Sequence, residues 1–237
     1  MRKLCVTSGC KGGVGKSTLA CLLAYALSQE GFSVVLLDLG GGDSGTLCLG
    51  GTPSGRGLTG REHGYWEGLR ESPLSSGLRV AYAAPSSSWE ELHLEAIRDA
   101  EVAIVDTAPC SQHCKEALFD LRIFVALPNW LSWHAYRRWV EKPEDRTQGD
   151  SSLLVINMYH PLLGDWKRRY AVLARRVATL SYDPALAFIY TRDVAEAYLV
   201  LSGRTKRDLR DLLDAVKSLL QGAHNSDSRG GVSLPGR

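Results

Sequence analysis

The chain is predicted to fold as an α/β protein with a mostly parallel central sheet and helices on both faces, a three-layer sandwich. Three observations predict it. Residues 34–38 (Val-Val-Leu-Leu-Asp) and 102–106 (Val-Ala-Ile-Val-Asp) are aliphatic runs without polar alternation, as strands buried on both faces require. Such runs alternate along the chain with stretches of helical period, the pattern of βαβ units. A glycine-rich string over residues 8–15 joins the first strand to the first helix.

Residues 4–8 make the first strand and 16–30 the first helix, which Gly31 ends. Residues 34–38 make the second strand. Between residues 40 and 77 lie twelve of the chain's 24 glycines with little periodicity, so a mobile loop with a short helix over 65–70 is expected. Further strands are expected at 78–83, 102–106, 123–127, 153–157 and 186–190. Helices lie between most of them, and again over 193–201 and 206–220. One domain covers residues 1–222, and the Gly/Ser-rich tail 223–237 is expected to be disordered.

Composition bounds the function. With 237 residues, 44% hydrophobic and 23% charged, the chain suits one sizeable soluble domain. A net charge of +2 supplies no whole-protein field for nucleic acid, so any such binding needs a local patch. The longest apolar run, 19–27, is too short to span a bilayer, and the start carries no signal peptide. No membrane segment and a cytoplasmic location are therefore expected. The six cysteines, Cys5, Cys10, Cys21, Cys48, Cys110 and Cys114, are expected to be thiols or ligands.

The string Ser8-Gly9-Cys10-Lys11-Gly12-Gly13-Val14-Gly15-Lys16-Ser17-Thr18 carries the chemistry. Glycines let successive N–H groups turn inward into an anion nest at a helix N-terminus, where the helix dipole favours phosphate. Lys16 would reach the β- and γ-phosphates, and Ser17 would ligate Mg²⁺. The usual pattern has glycine where this chain has Cys10. A nucleoside triphosphate is the ligand this loop suits, and the fold expected is that of a P-loop NTPase.

The segment Lys11 to Thr18 resembles the deviant phosphate loop of the ParA/MinD ATPases. That resemblance implies an ATP-dependent homodimer in which Lys11 crosses the interface to the partner's nucleotide, and it implies partition or positioning of a cargo with a small adaptor or cargo protein. It assigns Lys11, Gly12, Gly13, Val14, Gly15, Lys16, Ser17 and Thr18 to ATP, and Asp106, which ends a buried strand, to the Mg²⁺ shell. Asp38 matches the first aspartate of the family's D-x-D motif and also belongs near Mg²⁺. The second aspartate, which helps position the attacking water in relatives, is here Gly40. Hydrolysis must then be slow, use Asp43 or Asp38, or be lost, in which case the chain is an ATP-binding scaffold. Asn157, at a strand end, resembles the residue that reads the adenine edge, although a strand-end turn former fits as well.

Three further features have two readings each. Residues 165–180 place Trp166, Tyr170, Leu173, Val177 and Leu180 on one helical face and Arg168, Arg169, Arg175 and Arg176 on another. With Arg204, Lys206 and Arg207 these arginines suit a non-specific DNA surface, or a solvated basic face. Cys110 and Cys114 could complete a metal site across a dimer, as in metal-centre maturation ATPases, or simply pack on a helix. Trp130, Trp133 and Trp139 suit either helix-to-sheet packing or a partner-facing patch.

Overall fold

The computed structural model describes residues 1–39, 43–49, 67–82, 99–108, 119–141, 152–190 and 193–227. Eight strands form one sheet: β1 (Arg2–Thr7), β2 (Val34–Leu39), β3 (Glu67–Glu71), β4 (Leu78–Tyr82), β5 (Val102–Thr107), β6 (Leu121–Ala126), β7 (Ser152–Tyr159) and β8 (Val177–Ser181). Their spatial order is β3-β4-β2-β5-β1-β6-β7-β8, and every pairing is parallel except that of edge strand β3 with β4. The described helices are α1 (Lys16–Gln29), α2 (Asp43–Leu49), α3 (Trp130–Glu141), α4 (Trp166–Ala171), α5 (Val194–Val200) and α6 (Gly203–Asp227).

Alternation along the strands sends side chains to two cores. Leu4, Val6, Leu36, Ile104 and Val155 pack under α1, α5 and α6, while Phe124, Ala126, Leu154 and Ile156 point to the opposite face and meet Tyr136 of α3 and Trp166 and Tyr170 of α4. Helices therefore cover both faces, as expected. Helix α1 is buried along nearly its whole length, from Lys16 to Ser28. That explains why Leu19 to Leu27 is apolar all round rather than on one stripe.

Several expectations fail. Residues 165–180 are not one helix: α4 stops at Ala171, and after a turn the chain becomes β8. Trp166, Tyr170 and Ala174 belong to one core and Leu180 to the core on the opposite face, so the apparent stripe joins two elements. Val177 and Thr179 are β-branched, and β7 offers them an unpaired parallel edge. Residues 186–190 are not a strand but part of a 3-10 turn, Pro184–Tyr190, started by Pro184 and by Asp183, whose carboxylate accepts the Ala185 N–H at 2.9 Å. The short helix expected over 65–70 is replaced by strand β3, which pairs with β4. Helix α2 also forms inside the 40–77 segment expected to be a loop. Helix α6 continues to Asp227, past residue 222, and residues 228–237 lie outside the described part.

Candidate nucleotide-binding site

The site forms where the direction of chain winding reverses. Strand β1 lies between β5 and β6, so the chain leaves β1 at the switch point of a parallel sheet, over the carboxyl ends of its strands. Residues 8–15 fill that position. The Lys11 N–H donates to the Ser8 carbonyl at 3.2 Å, which closes the entrance turn, and the Leu19 N–H donates to the Gly15 carbonyl at 2.9 Å, which starts α1. Gly13 and Gly15 have φ of 69° and 87°, a left-handed backbone that only glycine adopts without strain. A Cβ at Gly15 would also collide with the Asn157 side-chain nitrogen. Gly12 and Gly13 face solvent, Val14 is buried as an anchor, and Lys11 is half-buried.

Register places the acids. Asp38 pairs with Asp106 across β2 and β5, and Asp106 is level with Val6 of β1, so both carboxylates sit at the height where the loop begins. Both are buried, as are Lys16 and Thr18, the first helical turn of α1. The Asp38 carboxylate accepts the Gly45 N–H at 2.7 Å and so holds α2 against the end of β2. Asp43 is the first residue of α2.

Asp106 is the least satisfied group in the site. Neither of its oxygens has a hydrogen-bond partner. Burial, and then the charge of Asp38, push its carboxyl up to about 6; the Ser17 and Ser44 hydroxyls and Lys16 oppose this from nearby without a hydrogen bond to it. Burial likewise lowers Lys16, with Asp106 pulling the other way. A buried, orphaned carboxylate beside a half-exposed serine hydroxyl is a donor set that fits Mg²⁺ held with a nucleotide. Ser44 carries no recognisable motif in the sequence, and only the fold of α2 brings it here.

Asn157 ends the buried part of β7 and reaches into the loop. Its side-chain N–H donates to the Val14 carbonyl at 2.9 Å, and its carbonyl oxygen accepts the Met158 N–H at 2.9 Å. Met158 has φ of 54°, the one positive value among the described non-glycine residues. A positive φ on a side-chain-bearing residue costs energy, and here it turns the chain away from β7 directly beside the phosphate loop.

The remaining predicted residues do not converge. Arg168 and Arg169 lie on α4, Arg175 and Arg176 lie in the turn before β8, and Arg204, Lys206 and Arg207 lie in the first turns of α6. The Arg169 guanidinium stacks over Trp130 and Trp166, 4.8 and 5.5 Å from their ring centres, and Lys206 donates to the Leu199 carbonyl at 2.8 Å. The single arginine stripe expected on one helix is therefore absent, because that helix is absent. Gly40, Cys110 and Cys114 lie outside the described residues. Cys21 and Cys48 are buried free thiols, but Cys5 and Cys10 each belong to a disulfide, against the expectation of thiols or ligands. Cysteine count and spacing do not say which sulfurs a fold brings together. Among the described residues no three His, Cys, Asp or Glu side chains cluster as metal ligands, and no helix is long and apolar enough to cross a membrane.

Residues 5–226 match the family described as the CobQ/CobB/MinD/ParA nucleotide binding domain. The fold is similar to that of the MinD cell division protein of Aquifex aeolicus, with a TM-score of 0.66 at 18% identity over 100% of both chains. It is also similar to a ParA family ATPase from Chlorobium tepidum, with a TM-score of 0.62 at 16% identity over 90% of this chain and 97% of that one. A McdA–ATP complex from Cyanothece has a TM-score of 0.62 at 14% identity over 100% of this chain and 99% of that one. A comparison with curated protein sequences finds no match.

Proposed function

Because the chain belongs to the CobQ/CobB/MinD/ParA nucleotide-binding family, we propose that it is an ATPase that binds ATP with Mg²⁺, dimerises in that state and positions a cargo. The observation that supports this most is the convergence of Lys16, Ser17, Asp38 and Asp106 at the carboxyl ends of β1, β2 and β5. The similarity to a structure described as an ATP complex supports ATP as the nucleotide.

In this reading the loop N–H groups and Lys16 hold the phosphates, and the desolvated ammonium acts at full strength because little water screens it. Ser17 and Asp106 would hold Mg²⁺, which supplies charge neutralisation on the phosphate oxygens. Lys11, half-buried in the loop, would meet a second nucleotide in a symmetric dimer. Asp38 is committed to the Gly45 N–H, and Gly40 offers no carboxylate, so turnover is slow. The same two facts favour a second reading, an ATP-dependent scaffold with little hydrolysis.

A DNA surface, if the cargo is DNA, falls to the exposed Arg175, Arg176, Arg204 and Arg207 on the β8 side of the molecule. Static light scattering with and without ATP and Mg²⁺ tests the core of the proposal. A mass that doubles only with ATP supports it, and a monomer at saturating ATP overturns it. DNA retention in the ATP state, measured against salt, then tests the cargo.

A further inference from the structure

A ridge of exposed apolar side chains is built from two segments at the carboxyl ends of β6 and β7. Leu162 is 89% exposed, Leu131 68%, Trp130 52% and Leu163 52%. Scattered exposed leucines need no explanation, but here the segment that carries Trp130 and Leu131 is fastened to the turn that carries Leu162 and Leu163. Trp130 meets Trp166 edge-on with ring centres 5.2 Å apart, and the Trp166 indole N–H donates to the Leu163 carbonyl at 2.9 Å. The Leu163 N–H donates to the His160 carbonyl at 2.9 Å, which closes the Pro161–Leu163 turn. The Tyr170 hydroxyl donates to the Leu127 carbonyl at 2.9 Å, which ties α4 to the end of β6. The ridge is thus a fixed feature and not a frayed loop.

Cations follow it on α4. Lys167, Arg168 and Arg169 are exposed on α4, and the Arg169 guanidinium lies over the Trp130 ring. Lys167 and Arg168 make no ion pair among the described residues. The neighbouring acid, Asp165, is turned to the α4 backbone, where it accepts the Arg168 N–H at 3.2 Å.

We propose that this ridge docks the protein peripherally on an anionic lipid bilayer, with Leu162, Leu163 and Leu131 entering the acyl boundary, Trp130 at the headgroup level and Lys167 and Arg168 on the phosphates. Charge complementarity and shape both select that occupant. A bilayer accepts a protruding apolar tip without a matching pocket, and an amphipathic indole beside unpaired cations suits its interface. No described helix can cross a membrane, so the contact is superficial. The inference does not depend on the nucleotide reading.

Co-sedimentation of the full chain with vesicles of phosphatidylglycerol and phosphatidylcholine, against phosphatidylcholine alone, tests it. Binding to the anionic vesicles that weakens with salt is expected, with little binding to the neutral ones. Leu162→Asp with Leu163→Asp should lower vesicle affinity about tenfold or more. Lys167→Gln with Arg168→Gln should lower it by about fivefold per cation and flatten the salt dependence. Unchanged melting and ATP affinity certify that each variant is folded. No binding of the wild type to anionic vesicles at low salt overturns the proposal, as does binding that survives the leucine changes. Loss of DNA retention in the lysine–arginine variant with vesicle binding intact makes the surface a nucleic-acid one and likewise overturns it.

Discussion

Asp106→Asn should make the ligand-free protein more stable. In the folded state burial and Asp38 raise this carboxyl from 3.8 to about 6. The folded protein therefore holds the proton more tightly than the unfolded chain. Between those two values the folded state binds more protons, so stability falls as pH rises through the window and the full cost is present above it. Ionising a carboxyl raised this far costs about 3 kcal/mol at neutral pH, or roughly 6–12 °C in melting temperature for a chain of this length. The amide has no charge to desolvate, so the variant should melt higher by up to that amount at about pH 7 and match the wild type near about pH 4. Differential scanning calorimetry of both proteins across that range isolates the contribution, because other titrating groups cancel in the difference. With Mg²⁺ and ATP the order should invert, since the wild type alone gains a carboxylate–metal contact and the binding free energy adds to folding. A variant no more stable than wild type at neutral pH, or a difference that does not change with pH, refutes the account of Asp106.

Lys16→Ala should lower ATP affinity by roughly tenfold to a hundredfold, the worth of a charged hydrogen bond, and unchanged affinity in calorimetric titration of the folded variant would overturn the site assignment. Lys11→Ala should keep most of the affinity and lose ATP-dependent dimerisation; a dimer persisting in light scattering removes the trans role. Asn157→Ala should weaken ATP and GTP by the same factor, about fivefold for one lost buried hydrogen bond, because the amide braces Val14. A loss confined to ATP would instead make Asn157 the reader of the base. Gly40→Asp should raise turnover about tenfold or more by supplying a proton acceptor, and an unchanged phosphate-release rate would show that this position does not govern water attack.

The central strands were legible because each signals itself locally. Val34 to Leu37 and Val102 to Val105 are aliphatic on both faces, as is Leu153 to Ile156, and runs this short between turn signals read as buried strands. The edges were not legible, because an edge strand is specified by its neighbour. Val177 to Ser181 carries a helical echo of Trp166 and Tyr170, and only the open side of β7 decides that it pairs. The same holds for β3, whose strand state depends on β4 and not on the glycine-rich segment around it. At 186–190 an apolar run looked like a strand, but Asp183 and Pro184 set a helical turn first, and Asp183 is held in place by the Ser202 N–H at 2.8 Å from far along the chain.

At the site, residue types were legible and their mutual state was not. A lysine after glycines at the start of a helix suggests phosphate chemistry, and an aspartate ending an aliphatic strand adds to that reading only because it follows such a loop. Their packing here adds a conflict that no spacing encodes: Asp38 and Asp106 share one level on adjacent strands, and the single ammonium of Lys16 faces two carboxylates. Asp38 resolves its share by accepting the Gly45 N–H, which fastens α2 to the sheet. Asp106 has no such outlet. In the proposed ATP-bound state a cation brought with the nucleotide would relieve the repulsion at Asp106, and Ser17 and Lys16 would turn to the phosphates. Any movement of Asp38 in response would reach α2 through the hydrogen bond from the Gly45 N–H. On the proposed reading, ligand binding, stability and the placement of α2 would be linked through the same two carboxylates, which is the physical requirement for a switch at this end of the sheet.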